Sequence, residues 1–200
     1  MTTYGLIGYP LGHSFSRKFF TEKFEKEGTD AQYLNFEIPS IEEFPNIIKN
    51  SSTLRGLNVT IPYKQQVMQH LDEISKEAKA IGAVNVVKVS KEGLIGYNSD
   101  VIGFVNSIRP LLKPHHKKAL ILGTGGASKA IHYGLEEKLG METLFVSRTA
   151  RQGMITYEEV TTEVLKEYEV IVNCSPAGMF PHVDECPALP YEDMNERHLL

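Results

Sequence analysis

Residues 119–128 read Ala-Leu-Ile-Leu-Gly-Thr-Gly-Gly-Ala-Ser, and this stretch decides the fold of the chain. The apolar residues predict a buried strand, the glycines predict a tight turn, and the small residues after them predict the start of a helix. This order is typical of a domain that binds a dinucleotide. Because the turn lies in the second half of a 200-residue chain, we expect a separate unit before it, most economically the unit that holds the substrate.

The glycines of this turn have different physical tasks. Gly123 permits the tight turn, Gly125 lets the backbone approach a pyrophosphate, and Gly126 and Ala127 keep the start of the helix free of bulk. The helix start would direct its unpaired N–H groups at the anion. An ordinary strand-to-helix turn without a ligand is the alternative interpretation.

The next apolar strand, 143–147, ends where a chain that binds NAD usually carries an acidic residue for the ribose hydroxyls. Here the chain reads Ser147-Arg148-Thr149-Ala150-Arg151 instead. No carboxylate repels a 2′-phosphate, and the guanidinium groups of Arg148 and Arg151 can bind one through charge-assisted hydrogen bonds. The sequence therefore favours NADP over NAD, with two solvated loop arginines as the alternative.

Composition excludes several classes of protein. The chain has 42% apolar and 23% charged residues and a formal net charge of −4, without a long basic run that would predict nucleic-acid binding. No apolar run is long enough for a membrane span, so we expect a cytoplasmic protein. Cys174 and Cys186 are too few for a zinc site or a disulfide framework, and Cys174 is interpreted as a packed residue. His115-His116 is interpreted as a solvated loop, so no metal is predicted.

The first half of the chain alternates short apolar runs with helical patterns, which is typical of an α/β domain. Strands are predicted at 4–8, 32–37, 57–61 and 84–89, and a second helix at 41–50. Four phenylalanines recur at helical spacing and predict a core-facing stripe that Gly28 closes: Phe15, Phe19, Phe20 and Phe24. Asp100 is expected to cap a helix that joins the two halves and ends before Pro114. We therefore predict one domain at 1–101 and a second at 102–200.

Two features of the second half are unusual. The strand-like piece 154–156 follows Thr149 within a few residues, so the usual second crossover helix is missing. The chain then stops at Leu200, where another buried strand would start after the strand that ends at Asn173. We therefore expect the chain to be a fragment whose sheet keeps an open edge unless another segment covers it.

Polar clusters follow the predicted strands of the first half, where open α/β sheets bind ligands. They are Gly12-His13-Ser14-Phe15-Ser16, 58–64, Gly82-Ala83-Val84-Asn85, and Asn98-Ser99-Asp100. In the second cluster Asn58 and Thr60 are expected on one face of the strand and Val59 and Ile61 on the other. Taken singly, each residue has a structural explanation: Ser14 or Ser16 as a helix cap, Asp100 as a cap, and Lys64 as a solvated side chain.

Taken together, the clusters resemble those of the shikimate dehydrogenases across essentially the whole chain. The motifs are G-H-S-x-S, N-V-T-x-P-x-K, G-A-V-N, N-x-D, G-x-G-G-A-S, S-R-T in place of the frequent N-R-T, and 173–179 in place of N-x-T-x-x-G-M. The resemblance implies an N-terminal α/β substrate domain with a mixed sheet, then a Rossmann-type NADP-binding domain, here truncated at its C-terminus. It also implies NADPH-dependent reduction of 3-dehydroshikimate to shikimate in aromatic biosynthesis, with the substrate between the domains.

By motif position, the resemblance implies that Ser14 and Ser16 hold the substrate carboxylate. It implies that the substrate hydroxyls are bound by Asn58, Thr60, Asn85 and Asp100. It places the pyrophosphate on 123–127, which includes Thr124, and the adenosine phosphate on 147–151, which includes Thr149. The chain departs from the family at Arg17, where Pro is common, and at Ser99 and Ser175, where Thr is frequent. It also lacks the C-terminal portion that supplies a substrate-binding Gln, a Tyr and helices that pack back on the first domain.

The resemblance implies that Lys64 is the acid/base residue, and the chemistry supports this role. Hydride transfer to a ketone leaves a developing alkoxide, which a positioned ammonium can stabilise and protonate. A carboxylate near it, at Asp100, favours the charged lysine and therefore reduction. A quinate or quinate/shikimate dehydrogenase that uses NAD or NADP, and a sensor module without turnover, remain alternatives. The expected partner is the small-molecule substrate, and the expected state is a monomer or homodimer.

Overall fold

The computed structural model of the protein describes residues 1–12 and 14–200 and separates into two compact units. Unit 1 spans Met1–Ser99 and unit 2 spans Asp100–Leu200, so the division falls two residues before the predicted boundary. Each unit is built on a β-sheet with its own hydrophobic core. We describe the two units separately.

Unit 1 contains a mixed sheet in the order β2-β1-β3-β5-β6-β4. Its strands are β1 (Thr2–Gly8), β2 (Ala31–Glu37), β3 (Leu54–Val59), β4 (Glu73–Ile74), β5 (Val86–Ser90) and β6 (Gly93–Tyr97). The first three strands are parallel, whereas β5 is antiparallel to both β3 and β6. The strand predicted at 57–61 ends at Val59. A turn follows, in which the Tyr63 N–H donates to the Thr60 carbonyl. Pro62 lies within this turn and has no N–H to continue the strand pairing.

Helices cover both faces of this sheet. They are α1 (Phe15–Glu27), α2 (Phe44–Asn50) after a 3₁₀ turn (Ile41–Glu43), a 3₁₀ segment (Gln66–His70) and α3 (Lys76–Ile81). Neighbouring residues of β1 point to opposite faces of the sheet. Leu6 packs with Phe20 and Phe24 of α1, whereas Ile7 belongs to the larger core that contains Phe44. As predicted, α1 ends at Gly28, which adopts a left-handed backbone at φ 62°.

The predicted core stripe of phenylalanines on α1 is half wrong. Phe20 and Phe24 contact the core, but Phe15 is 74% exposed and Phe19 is 45% exposed. Consecutive residues of an α-helix are about 100° apart around its axis, so the pair Phe15–Phe19 lies on a different face from the pair Phe20–Phe24. Both pairs have the spacing i, i+4, which indicates a helix but does not specify which face is buried.

Unit 2 contains a parallel sheet in the order β10-β7-β8-β9. Its strands are β7 (Lys118–Leu122), β8 (Glu142–Ser147), β9 (Met154–Thr156) and β10 (Val170–Asn173). β8 and β9 pair in parallel although only residues 148–153 join them, which confirms that the usual second crossover helix is missing. The order reverses between β7 and β10, the position at which open parallel sheets bind ligands.

The helices of unit 2 pack on both faces of its sheet. They are α4 (Asp100–Ile108) followed by a 3₁₀ turn (Arg109–Leu111), α5 (Gly126–Tyr133) followed by a π-helical turn (Gly134–Lys138), and α6 (Thr162–Glu167). Short 3₁₀ turns also lie at Tyr157–Glu159 and Tyr191–Asp193. Along β7, Leu120 and Leu122 pack with Leu165 of α6, whereas Ala119 and Ile121 pack with Leu135.

The C-terminal residues lie against β10. Leu199 forms one parallel bridge with Val170, at the position where the sequence predicts the start of another strand. The prediction that His115-His116 is a solvated loop is wrong for His116, which is 6% exposed. Its Nδ1 accepts a hydrogen bond from the Lys113 N–H and its Nε2 donates to the Arg197 carbonyl, so this imidazole connects two segments of unit 2.

No helix within residues 1–12 and 14–200 has the length and apolar character needed to cross a membrane. Among the same residues, no group of three or more His, Cys, Asp or Glu side chains is arranged to hold a metal ion.

We expect Leu165→Ala to lower the free energy of unfolding by about 2–5 kcal/mol, because Leu165 is fully buried in the core of unit 2 and its truncation leaves a cavity. The matched control is Leu111→Ala in the same unit, since Leu111 is 57% exposed and should change stability by less than about 0.5 kcal/mol. Urea unfolding measures both values. Equal losses from the two substitutions would contradict this description of the core.

Candidate active site

Parallel pairing places the ends of three strands of unit 1 side by side. Gly8 at the end of β1 is level with Glu37 at the end of β2, and Ile7 is level with Val59 at the end of β3. The residues predicted to hold a substrate follow these ends, Ser14 and Ser16 after β1 and Thr60 and Lys64 after β3. Asn58 is the next-to-last residue of β3.

Ser14 is the N-cap residue of α1, but its side chain makes no capping hydrogen bond. Within the described part of the chain, its Oγ is buried and has no hydrogen-bond partner. A buried hydroxyl without a partner costs free energy, so native structures rarely keep one without a reason. This orphaned oxygen fits a position at which a ligand supplies the missing partner.

Tyr33 contacts the predicted substrate residue Asn58, although no motif in the sequence marks this tyrosine. Tyr33 is 4% exposed, and its hydroxyl donates to Oδ1 of Asn58 over 2.8 Å. Burial raises the pKa of Tyr33 to about 12, although the Ser16 side chain opposes the rise, so this phenol stays protonated at neutral pH.

The backbone of Lys64 is fixed by its neighbours. Tyr63 is 3% exposed and donates its hydroxyl hydrogen to the Ile38 carbonyl over 2.6 Å, and burial raises the pKa of this phenol. The Lys64 carbonyl accepts a hydrogen bond from the Val84 N–H at 2.7 Å. Lys64 is half-buried, and the hydrogen bonds of its neighbours hold its backbone at the end of β3.

Asn85 lies beside this turn. Its backbone carbonyl accepts from the Val59 N–H at 2.8 Å, and its buried amide donates to the Ser99 hydroxyl and accepts from the Ser99 N–H. Asn98 is also buried and donates to the Ala83 carbonyl. These bonds join the G-A-V-N and N-x-D segments within unit 1. Asp100 follows directly as the first residue of α4 and therefore opens unit 2.

In unit 2 the glycine turn adopts the conformation that the sequence predicts. Gly123 has φ +105°, and a Cβ added there would lie 3.0 Å from the backbone oxygen of Cys174. Gly125 is the N-cap residue of α5, which begins at Gly126, and Ser128 donates its hydroxyl hydrogen to the Gly125 carbonyl over 2.7 Å. Thr124 lies in the turn, and Ala127 is the second residue of the helix. Bare backbone at a helix start is suited to a pyrophosphate.

The residues after β8 also lie where the sequence predicts them. Ser147 is buried, and its Oγ accepts a long hydrogen bond of 3.4 Å from the Thr149 N–H. The side chains of Arg148 and Arg151 are exposed, and residues 148–153 contain no acidic residue. The arrangement fits a cofactor that carries a phosphate on its ribose.

The loop after β10 completes this edge of the parallel sheet. Oδ1 of Asn173 accepts hydrogen bonds from the backbone N–H and the hydroxyl of Ser175, and its amide donates to the Ala177 carbonyl. The loop approaches the glycine turn so closely that a Cβ at position 123 would crowd its backbone, and the positive φ there also favours glycine. Burial raises the pKa of the Cys174 thiol to about 11, so this cysteine is a packed residue and not a thiolate.

Comparison with known proteins identifies the family. Residues 6–87 match the family described as shikimate dehydrogenase substrate binding domain. The chain is 35% identical over 198 residues to a shikimate dehydrogenase (NADP(+)) from Caldicellulosiruptor saccharolyticus, with 91% of this chain and 71% of that protein covered. This chain belongs to the shikimate dehydrogenase family.

Solved structures of shikimate dehydrogenases have the same fold. The crystal structure of shikimate dehydrogenase from Aquifex aeolicus is 33% identical with a TM-score of 0.85, and the match covers 100% of this chain and 77% of that one. The shikimate 5-dehydrogenase from Thermus thermophilus, in complex with NADP(H) and shikimate, is 30% identical with a TM-score of 0.83 and 99% and 77% coverage. The predicted fold class, a substrate domain followed by a Rossmann-type domain, is thereby confirmed.

The glycine turn gives a direct test of this geometry. We expect Gly123→Ala to lower the free energy of unfolding more than Gly140→Ala does. Both glycines have positive φ, but a Cβ at Gly140 would enter open space, whereas one at Gly123 would also press on the backbone at Cys174. The Gly140 substitution should cost about 1–2 kcal/mol from backbone strain alone. Urea unfolding compares the two, and a smaller loss at Gly123 would contradict the close approach of the two loops.

Proposed function

We propose that the protein interconverts 3-dehydroshikimate and shikimate, with NADPH and NADP⁺ as the redox partner. The observation that carries this proposal is the hydrogen-bonded turn that holds the Lys64 backbone beside the polar strand ends of unit 1. The proposed reaction is the one for which the shikimate dehydrogenase family is named. The Thermus thermophilus structure was solved with shikimate and NADP(H). The expected cytoplasmic location and monomeric or homodimeric state stay predictions.

Each polar residue of unit 1 has a role that its chemistry supports. Ser14 and Ser16 would bind the substrate carboxylate, and the buried, orphaned Oγ of Ser14 supports this assignment. Asn58 and Thr60 offer amide and hydroxyl groups to the ring hydroxyls. Asn85 would act at the same edge, and its bonds to Ser99 hold its amide in place. Asp100 keeps the catalytic and substrate-binding roles that the family resemblance implies.

Lys64 would move the proton of the reaction. During reduction the carbonyl carbon of 3-dehydroshikimate gains a hydride, and the carbonyl oxygen becomes an alkoxide that takes a proton from the lysine ammonium. The products are shikimate and a neutral amine, which regains a proton from solvent. During oxidation the amine accepts the hydroxyl proton as the hydride leaves carbon. The ammonium also stabilises the developing negative charge before the proton moves.

NADPH, when bound, supplies the hydride. The residues that would hold it are in unit 2, and their geometry fits the cofactor: the turn 123–127 would offer backbone N–H groups to the pyrophosphate, and the positive φ of Gly123 forms a tight turn close to the backbone of Cys174. Ser147, Thr149 and the guanidinium groups of Arg148 and Arg151 would bind the 2′-phosphate. The absence of an acidic residue in 148–153 removes the usual repulsion of that phosphate.

The direct test is an absorbance assay of cofactor reduction with shikimate, quinate or no acid, each with NADP⁺ and with NAD⁺. We expect the highest kcat/KM with shikimate and NADP⁺. A preference for quinate would indicate the sister dehydrogenase, and binding of shikimate without any turnover would indicate a sensor. Either outcome would overturn the proposal.

In the same assay, we expect Lys64→Ala to reduce kcat at least about a hundredfold while KM for shikimate changes much less, because general acid–base catalysis contributes about 10²–10⁴ in rate. The matched control is Lys49→Ala, which removes an exposed lysine of α2 and should leave kcat unchanged. An unchanged kcat in Lys64→Ala would show that another group transfers the proton.

The cofactor assignment predicts a selective effect at the arginines. Arg148→Ala combined with Arg151→Ala should raise KM for NADP⁺ more than tenfold, since a hydrogen bond to a charged group contributes about 1.5–3 kcal/mol. KM for NAD⁺, which has no 2′-phosphate, should change little and is the internal control. Equal effects on the two cofactors would contradict recognition of the phosphate by these side chains.

A further inference from the structure

Tyr33 occupies a position that a general packing role does not explain. It lies in β2 with its ring stacked on Phe20 of α1, at 4.7 Å between ring centroids and 14° between planes. Its hydroxyl donates to Oδ1 of Asn58 in β3, on the far side of β1 in the sheet. Through its ring and its hydroxyl, Tyr33 therefore connects β2 with α1 and β3.

The bond from Tyr33 determines how the Asn58 amide is oriented. An asparagine amide has one oxygen acceptor and an NH₂ donor group, and a rotation of 180° exchanges them. Because the tyrosine hydroxyl donates to Oδ1, the oxygen faces Tyr33 and the NH₂ group is directed away from it. A fixed NH₂ group can donate to a ligand hydroxyl or carbonyl oxygen without a loss of rotational freedom on binding.

We propose that Tyr33 is a positioning residue of the substrate site, which fixes the orientation of the Asn58 amide before a ligand binds. The proposal rests on the proposed function, because it takes Asn58 as a residue that binds shikimate. Tyr33 acts through this side chain and has no role in proton or hydride transfer. The stack on Phe20 keeps the ring in place and does not depend on the hydroxyl.

The test is Tyr33→Phe, which keeps the ring and removes the hydroxyl. We expect the Kd for shikimate, measured by titration calorimetry on the full chain, to rise about 3- to 10-fold, because a net hydrogen bond contributes about that factor. The Kd for NADP⁺ should stay within twofold. The matched control is Tyr168→Phe in unit 2, which removes a buried tyrosine hydroxyl that donates to Glu142 at the start of β8. This control should leave the Kd for shikimate unchanged.

A double-mutant cycle separates positioning from simple loss of stability. If Tyr33 acts through Asn58, Tyr33→Phe should have little further effect on the Kd for shikimate in an Asn58→Ala background. Three results would each overturn the inference. They are full additivity of the two substitutions in the free energy of shikimate binding, an unchanged Kd for shikimate in Tyr33→Phe, and an equal rise of the Kd values for shikimate and NADP⁺. Calorimetry needs no turnover, so absent turnover with intact shikimate binding overturns the proposed function alone. A wild-type chain that does not bind shikimate would overturn both.

Discussion

Parallel pairing places the carboxyl ends of neighbouring strands at one edge of a sheet, and both candidate sites depend on this constraint. In unit 1 it aligns the ends of β1, β2 and β3, so the segments that carry Ser14 and Lys64 start side by side although fifty residues separate them in the sequence. In unit 2 it aligns the ends of β7 and β10, which brings the glycine turn against Cys174. Polar residues gather at these edges because the strands themselves are covered by apolar cores.

The two proposed sites would bind their ligands by different physical means. The proposed site of unit 2 would use backbone groups at a turn of small residues, and two exposed guanidinium groups would select the cofactor. The proposed site of unit 1 would use side chains beside buried tyrosine hydroxyls, that of Tyr63 at the lysine turn and that of Tyr33 at Asn58. Buried polar networks of this kind are costly when a member lacks its partner, so the orphaned hydroxyl of Ser14 stands out among the site residues that the structure describes.

Much of the fold follows from local patterns in the sequence. The glycine turn, the short connection between β8 and β9 and the end of α1 at Gly28 could be predicted, because each depends on backbone conformation that few residues permit. The burial of Phe15 and Phe19 was predicted wrongly, since helical spacing indicates a face without showing what covers it. The burial of His116 could not be predicted either, because its hydrogen-bond partner, the Arg197 carbonyl, is distant in the sequence.

Tyr33 shows most clearly what a sequence pattern omits. Its alternation in β2 places it on the face that α1 covers, but a tyrosine in a half-buried strand is ordinary, and only the structure shows its hydroxyl at Asn58. The residues selected from motifs are those that face a ligand, whereas residues that hold them in place carry no motif of their own. The roles of the individual site residues therefore remain predictions that rest on geometry and family membership.

We propose that different parts of the chain bind the two ligands, with shikimate held mainly by residues at the strand ends of unit 1 and NADP⁺ by the glycine turn of unit 2. Amide hydrogen exchange on the full chain, with each ligand added alone, tests it most directly. We predict that shikimate slows exchange at 58–64 and that NADP⁺ slows exchange at 123–128. Protection of 123–128 by shikimate without any change at 58–64 would contradict the account.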